Sequence, residues 1–215
     1  DSRILGAGLA QLHKILKSYP NKYLVKRSSQ ERMQMLSRRY NAIINGQLPD
    51  RPEAESIYQL FKKNEYDPFK IKGDLQIIHG DLNLANLLFD SQSPKVTFID
   101  FENAAVSWLP CHHDLSMVMQ RSCLVSNKTY GEKIRFTAEL INAYTSNGGL
   151  SYDSDTLISS MKWLSVRNIC LLAEKESSGI CVTSQEWEKF LHLHRLADQS
   201  VKLVQDAVRG AYSQD

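Results

Sequence analysis

The stretch HGDLNLANLLFD, residues 79–90, sets His79, Asp81, Asn83 and Asn86 close together and then runs at once into Leu87, Leu88 and Phe89. A loop accounts for the polar half and a strand for the apolar half, so the join itself needs a reason. It lies in the continuation KVTFIDFENA, residues 95–104. The apolar runs 86–89 and 96–99 flank SQSPK, which reads as the turn of a hairpin. Asn86 then stands just before one strand, Asp100 ends the other, and Asp81 occupies the preceding loop. Three oxygen-bearing side chains converge.

That set has a chemistry. A hard cation such as Mg²⁺ takes a few oxygen ligands and keeps some waters or phosphate oxygens, which an Asn and an Asp at strand ends suit. A second Asp, not consumed by the metal, can orient a hydroxyl and accept its proton. Phosphoryl transfer asks for this equipment, because positioning and charge neutralisation do most of the catalysis.

Outward from the hairpin the pattern is helical. Ile4, Leu5, Leu9, Leu12, Ile15 and Leu16 recur at helical spacing, so residues 5–19 read as an amphipathic helix ended by Pro20. A second helix is expected over 28–46 and a third behind Pro52. Gly73-Asp74 breaks the helical region, and QII at 76–78 begins the strands. Helices return at about 114–125, 129–146, 153–176 and 184–210. The fold class is therefore α+β and predominantly helical: 1–74 helical, 75–104 a catalytic loop and hairpin, 105–215 helical. Asp114 is expected to cap the helix that follows it. On the 153–176 helix, Trp163 reads as core packing, with Arg167 and Glu174 as possible pocket residues.

Composition limits the alternatives. The 215 residues are 42% hydrophobic and 23% charged with six Pro and ten Gly, which excludes disordered and fibrous chains. No apolar run reaches the roughly 20 residues of a membrane span, and no signal-peptide pattern opens the chain, so a soluble protein is expected. Cys111, Cys123, Cys170 and Cys181 form no C-x-x-C pair, which suits reduced thiols in the cytoplasm. Cys111-His112-His113-Asp114 is a poor zinc site, because adjacent residues point in different directions. Residues 1–75 carry 14 Lys and Arg against 8 Asp and Glu, but no nucleic-acid-binding motif accompanies the charge, which reads as a solvated helical surface.

His79-x-Asp81-x-x-x-x-Asn86, followed by Ile99-Asp100-Phe101-Glu102, resembles the catalytic and metal-binding motifs of the aminoglycoside phosphotransferase and choline kinase family, relatives of the protein kinases. Leu9-Ala10-Gln11-Leu12-His13 and His113-Asp114-Leu115-Ser116 resemble further landmarks of that family. The resemblance implies a kinase-like C-terminal lobe in which Asp81 is the catalytic base and Asn86 and Asp100 hold Mg²⁺ and, through it, ATP or another nucleoside triphosphate. The acceptor it implies is a hydroxyl of a small molecule. His79 reads as a loop brace rather than a proton carrier. Asn83 stands where the small-molecule branch often has His, and Glu102 matches the acidic residue usual there. Gly80 replaces the Arg of protein kinases, so control by a phosphorylated activation loop is not expected.

No G-x-G-x-x-G loop and no strand Lys paired with a helical Glu are found, and Gly6-Ala7-Gly8 lies within a helical pattern. The chain is expected to start after the hinge between the two lobes, with the N-terminal lobe supplied in cis or in trans. The 215 residues alone are expected to have little or no kinase activity, and to expose an apolar strip where that lobe would pack. The reading from another class is a non-catalytic pseudokinase, or a lobe that works by assembling with a partner.

Overall fold

Helix α1 (Ser2–Lys17) starts where the Asp1 carboxylate accepts the N–H groups of Arg3 and Ile4, and it buries Leu5, Leu9 and Leu12 as their spacing requires. The computed structural model describes residues 1–48, 50–63, 74–90 and 92–213. Gly73 and Ser91, at the expected helix break and hairpin turn, lie outside the described residues. Along α1, a Cβ on Gly6 would come within 2.4 Å of the Leu140 carbonyl oxygen, and one on Gly8 within 2.4 Å of Val96 Cγ1. These two glycines let one helix lie directly on both another helix and the hairpin.

Helix α2 (Lys22–Ile44) begins earlier than its apolar pattern suggests, because Val25 buries with Ile77 and Ala104 and extends the packed face toward the N-terminus. After α3 (Ala54–Lys63), β1 (Leu75–Ile77) pairs antiparallel with β4 (Trp108–Pro110). Residues 108–110, expected within a helical region, form a strand instead, and three residues are too few to show strand alternation. The hairpin is β2 (Leu87–Phe89) against β3 (Val96–Phe98), in the register Leu87↔Phe98, Leu88↔Thr97, Phe89↔Val96.

Helix α4 (His112–Met119) runs into a π-helical turn over Gln120–Leu124. Then come α5 (Tyr130–Ser146), started by a Thr129–Glu132 capping box, and α6 (Ser154–Ser177). The expected last helix is two, α7 (Ser184–Gln199) and α8 (Val201–Tyr212). The chain turns at Ser200 because α7 packs on α6 whereas α8 packs mainly on α5, and one straight helix cannot serve both directions.

Besides the small cluster around Val25, two larger apolar clusters result. One joins α1, α4, α5, α8 and the first half of α6, through residues such as Leu9, Val118, Leu140 and Met161. The other joins α2, α3, α7 and the second half of α6, around Ile43, Ile57, Ile169 and Trp187. Helix α6 belongs to both and carries Arg167 between them. No described helix is long and apolar enough to cross a membrane.

Candidate active site

The loop that precedes β2 turns on Gly80, whose φ of +79° favours glycine and whose Cβ would lie 2.2 Å from Ser107 Oγ. No other residue fits both conditions. On one side of it His79 is fully buried: its Nε2–H donates to the Ile99 carbonyl at 2.9 Å, and its ring lies 4.6 Å from that of Phe101. His79 thus braces the loop against the segment that delivers Asp100. On the other side Asp81 is half-buried, and its Oδ1 accepts the Asn83 side-chain amide at 3.3 Å. Asn83 also caps the short 3₁₀ turn Leu84–Asn86 by accepting the Ala85 N–H at 2.9 Å.

Asn86 stitches loop to hairpin. Its side-chain N–H donates to the Asp81 carbonyl at 2.8 Å, while its own carbonyl accepts the Ile99 N–H at 3.1 Å. Asp100 follows at once, exposed, with φ 64° and ψ 66°, the one non-glycine residue with positive φ among the described residues. A left-handed aspartate costs energy and is held only where the surroundings impose it, which marks functional positions. Among the described residues, the Asn86 amide oxygen, the second Asp81 carboxylate oxygen and both Asp100 oxygens accept no hydrogen bond. One amide oxygen and one carboxylate, close in the chain to the hairpin ends, are a donor set that fits a hard cation. Glu102 is exposed at the start of the next 3₁₀ turn, within electrostatic reach of Arg32.

Asp114 is where the expectation from sequence fails. The N-cap of α4 is Cys111, and Asp114 lies inside the helix, fully buried. Its carboxylate accepts the N–H groups of His79 at 2.8 Å and of Gly80 at 2.9 Å, so it holds the loop before β2 instead of its own helix. Its other partner is His13 Nε2 at 3.2 Å. Burial pushes the His13 imidazole down, but its hydrogen bonds to Asp114 and Cys111 outweigh that and raise it to about 9. Histidines 112 and 113 diverge from Asp114: His112 rests edge-on against Tyr152, and His113 Nδ1 meets Ser160 Oγ at 2.6 Å.

Helix α6 adds Arg167, whose guanidinium donates to the Gly80 carbonyl at 3.3 Å. Burial lowers it to about 10, as does Arg32, while Asp81 and Asp114 act against the shift. Arg121, on the π-helical turn, also lies within electrostatic reach of Asp81, and burial lowers it too. Trp163 is buried, stacked on His113 at 4.2 Å between ring centroids. Glu174 pairs with Arg39 at 2.7 Å instead of joining the loop. Nothing local in the sequence marks Arg32 or Arg121, since tertiary packing alone brings them in. His13 carried a signal, a polar residue on the apolar face of α1.

The family model described as the phosphotransferase enzyme family, APH, matches residues 2–147, a span that contains the loop, the hairpin and helices α1 to α5. The chain belongs to this phosphotransferase enzyme family. The match ends before α6, which carries Arg167. No curated protein sequence matches the chain.

Proposed function

We propose that this chain supplies the catalytic residues of a phosphotransferase that moves a phosphoryl group from ATP, or another nucleoside triphosphate, to a hydroxyl of a small molecule. The observation that carries the reading is the loop-to-hairpin stitching. Hydrogen bonds through Asn86 and His79 join Asp81 to the strand end that presents Asp100, while the outward oxygens of all three site residues stay free of described partners.

Asp81 is the base. The Asn83 amide on Oδ1 turns the carboxylate so that its other oxygen accepts the acceptor's hydroxyl proton. Asn86 and Asp100 would hold Mg²⁺, whose chemistry there is to neutralise charge on the phosphate oxygens. His79 and Asn83 fix the loop, and Glu102 stands at the rim. With Arg121 and Arg167 both within electrostatic reach of Asp81, a neutral or anionic acceptor suits the site better than a cationic aminoglycoside or choline. The reading includes a nucleotide-binding lobe in cis or in trans. Exposed Leu84, Leu88, Phe89, Ile99 and Phe101, clustered along the hairpin and its flanks, support such a covering surface.

The test is transfer of labelled γ-phosphate by the full-length protein to a panel of neutral, anionic and cationic hydroxyl compounds. Asp81→Ala is expected to lower turnover by about 10²- to 10⁴-fold with little change in stability. Normal turnover by that variant would reject the base assignment. Asp100→Asn is expected to weaken stabilisation by Mg²⁺-nucleotide in a thermal melt.

A further inference from the structure

We infer that His13 is a positioning residue for the transfer step, acting through Asp114 on the peptide that carries Asp81. The inference rests on the reading of Asp81 as base. It concerns a residue of α1 that touches none of the reacting groups.

The chain of contacts is continuous. Asp114 Oδ1 accepts the Gly80 N–H, and Oδ2 accepts both the His79 N–H and the His13 Nε2–H. One carboxylate therefore grips the two backbone amides immediately before Asp81. At 0% exposure that carboxylate depends on its partners for all of its solvation, and an unpaired charge there is strongly unfavourable. The two amides are neutral donors, and His13 is the ionisable one.

His13 is itself fixed from three sides. Its Nδ1 meets the Tyr144 hydroxyl on α5 at 2.8 Å, with the rings edge-to-face at 5.6 Å. Its carbonyl accepts the Gln76 side-chain amide of β1 at 2.9 Å. The groups facing the imidazole are Asp114, Tyr144 and Cys111, and with them it carries its proton at neutral pH. On the far side of the loop, Arg167 holds the Gly80 carbonyl. Gly80 is thus clamped at its N–H through Asp114 and at its C=O through Arg167.

Helix α1 also sets the hairpin. One turn before His13, Gly8 lets the helix lie directly against Val96 of β3. The same rigid element therefore locates Asp81, through His13 and Asp114, and Asp100, through the hairpin. Catalysis by positioning is sensitive to that spacing, since a misplacement of about 1 Å costs on the order of 10²-fold in rate.

The test uses the full-length protein and the variants His13→Leu, His13→Gln and Tyr144→Phe, with Asp81→Ala as reference. His13→Leu is expected to lower kcat by about 10- to 100-fold, leave KM for the nucleotide unchanged, and speed hydrogen exchange at the His79 and Gly80 amides relative to those of α6. His13→Gln retains an N–H donor in the place of Nε2 and is expected to restore most of the rate and the protection. A His13→Leu protein with wild-type kcat, alongside an inactive Asp81→Ala, overturns the positioning role and leaves the base assignment standing. Turnover by Asp81→Ala instead rejects the base, and amide exchange alone then decides whether His13 holds the loop. If His13→Leu does not fold, Tyr144→Phe, which removes the partner of His13 Nδ1, carries the test: unchanged exchange at His79 and Gly80 in it, with no change in kcat, overturns the inference.

Discussion

His13 on α1 and His113 on α4 are each 4% exposed, yet their imidazoles shift in opposite directions. Burial pushes both imidazoles toward the neutral form. At His13 the hydrogen bonds to Asp114 and Cys111 reverse that and raise it to about 9. At His113 the partner is the neutral Ser160 hydroxyl, the neighbouring charges are His112 and Arg167, and the group falls well below its ordinary value. Burial sets the penalty, while the partner decides its sign. One cluster is an ionic clamp on the loop before β2; the other is a neutral seam between α4 and α6.

The largest break in this pairing should come from the shared carboxylate. Asp114→Asn replaces an acceptor oxygen with a donor that faces a backbone N–H, and it leaves His13 without its counter-ion. Breaking a buried ion pair from one side costs about 3–5 kcal/mol, which urea unfolding of the wild type and variant would measure. Against a total stability of roughly 5–15 kcal/mol, that loss is large. A loss below about 1 kcal/mol would mean that the clamp is not ionic.

Next in size is the pH dependence, where the two histidines act on opposite limbs. An unfolded histidine titrates near 6.5, so the stability that His13 contributes is complete below that pH and is lost as pH rises through about 9. The shift corresponds to on the order of 3 kcal/mol. On the acid side the sign inverts. His112, lowered by burial to about 4 against the pull of Asp153, and His113 both resist protonation in the folded state, so stability falls as pH drops below 6.5. Unfolding midpoints across pH 4 to 10 should therefore trace a dome. His13→Gln should flatten only its alkaline limb, and an unaltered alkaline limb in that variant would assign the effect to another group.

How much of this was legible in the sequence follows from the range of each interaction. His79, Asp81, Asn83, Asn86 and Asp100 sit within one loop and one hairpin, so their order along the chain nearly determines their arrangement, and the structure brings them together. Asp114 was found but misread. An aspartate near a helix start has a local use as a cap, and only the tertiary structure reveals that the loop amides claim it instead. Arg121 reaches the site from a π-helical turn, and Arg167 from a helix beyond the family match, so neither has a local signature. The boundary at Ser200 was hidden for a related reason. The apolar period runs on through it, and the change of packing partner from α6 to α5 leaves no mark in the pattern.

The smallest expected effect belongs to the neutral seam. Ser160→Ala removes the partner of His113 Nδ1, and Nε2 is already without a hydrogen bond among the described residues, so the whole imidazole is left buried and unsatisfied. Such a loss costs about 1–3 kcal/mol. A neutral pair can be replaced on both sides, however, and His113→Phe together with Ser160→Ala keeps a flat ring on Trp163 with no polar atom left to satisfy. The double variant should therefore recover most of the stability lost by Ser160→Ala alone, a coupling that a double-mutant cycle in urea would measure. No equivalent rescue exists for the ionic clamp, because an apolar residue at position 13 still leaves the Asp114 carboxylate buried and the loop amides dependent on it. Additive losses at His113 and Ser160 would remove the distinction between the two clusters, whereas recovery there and none at His13 would locate it in the charge of Asp114.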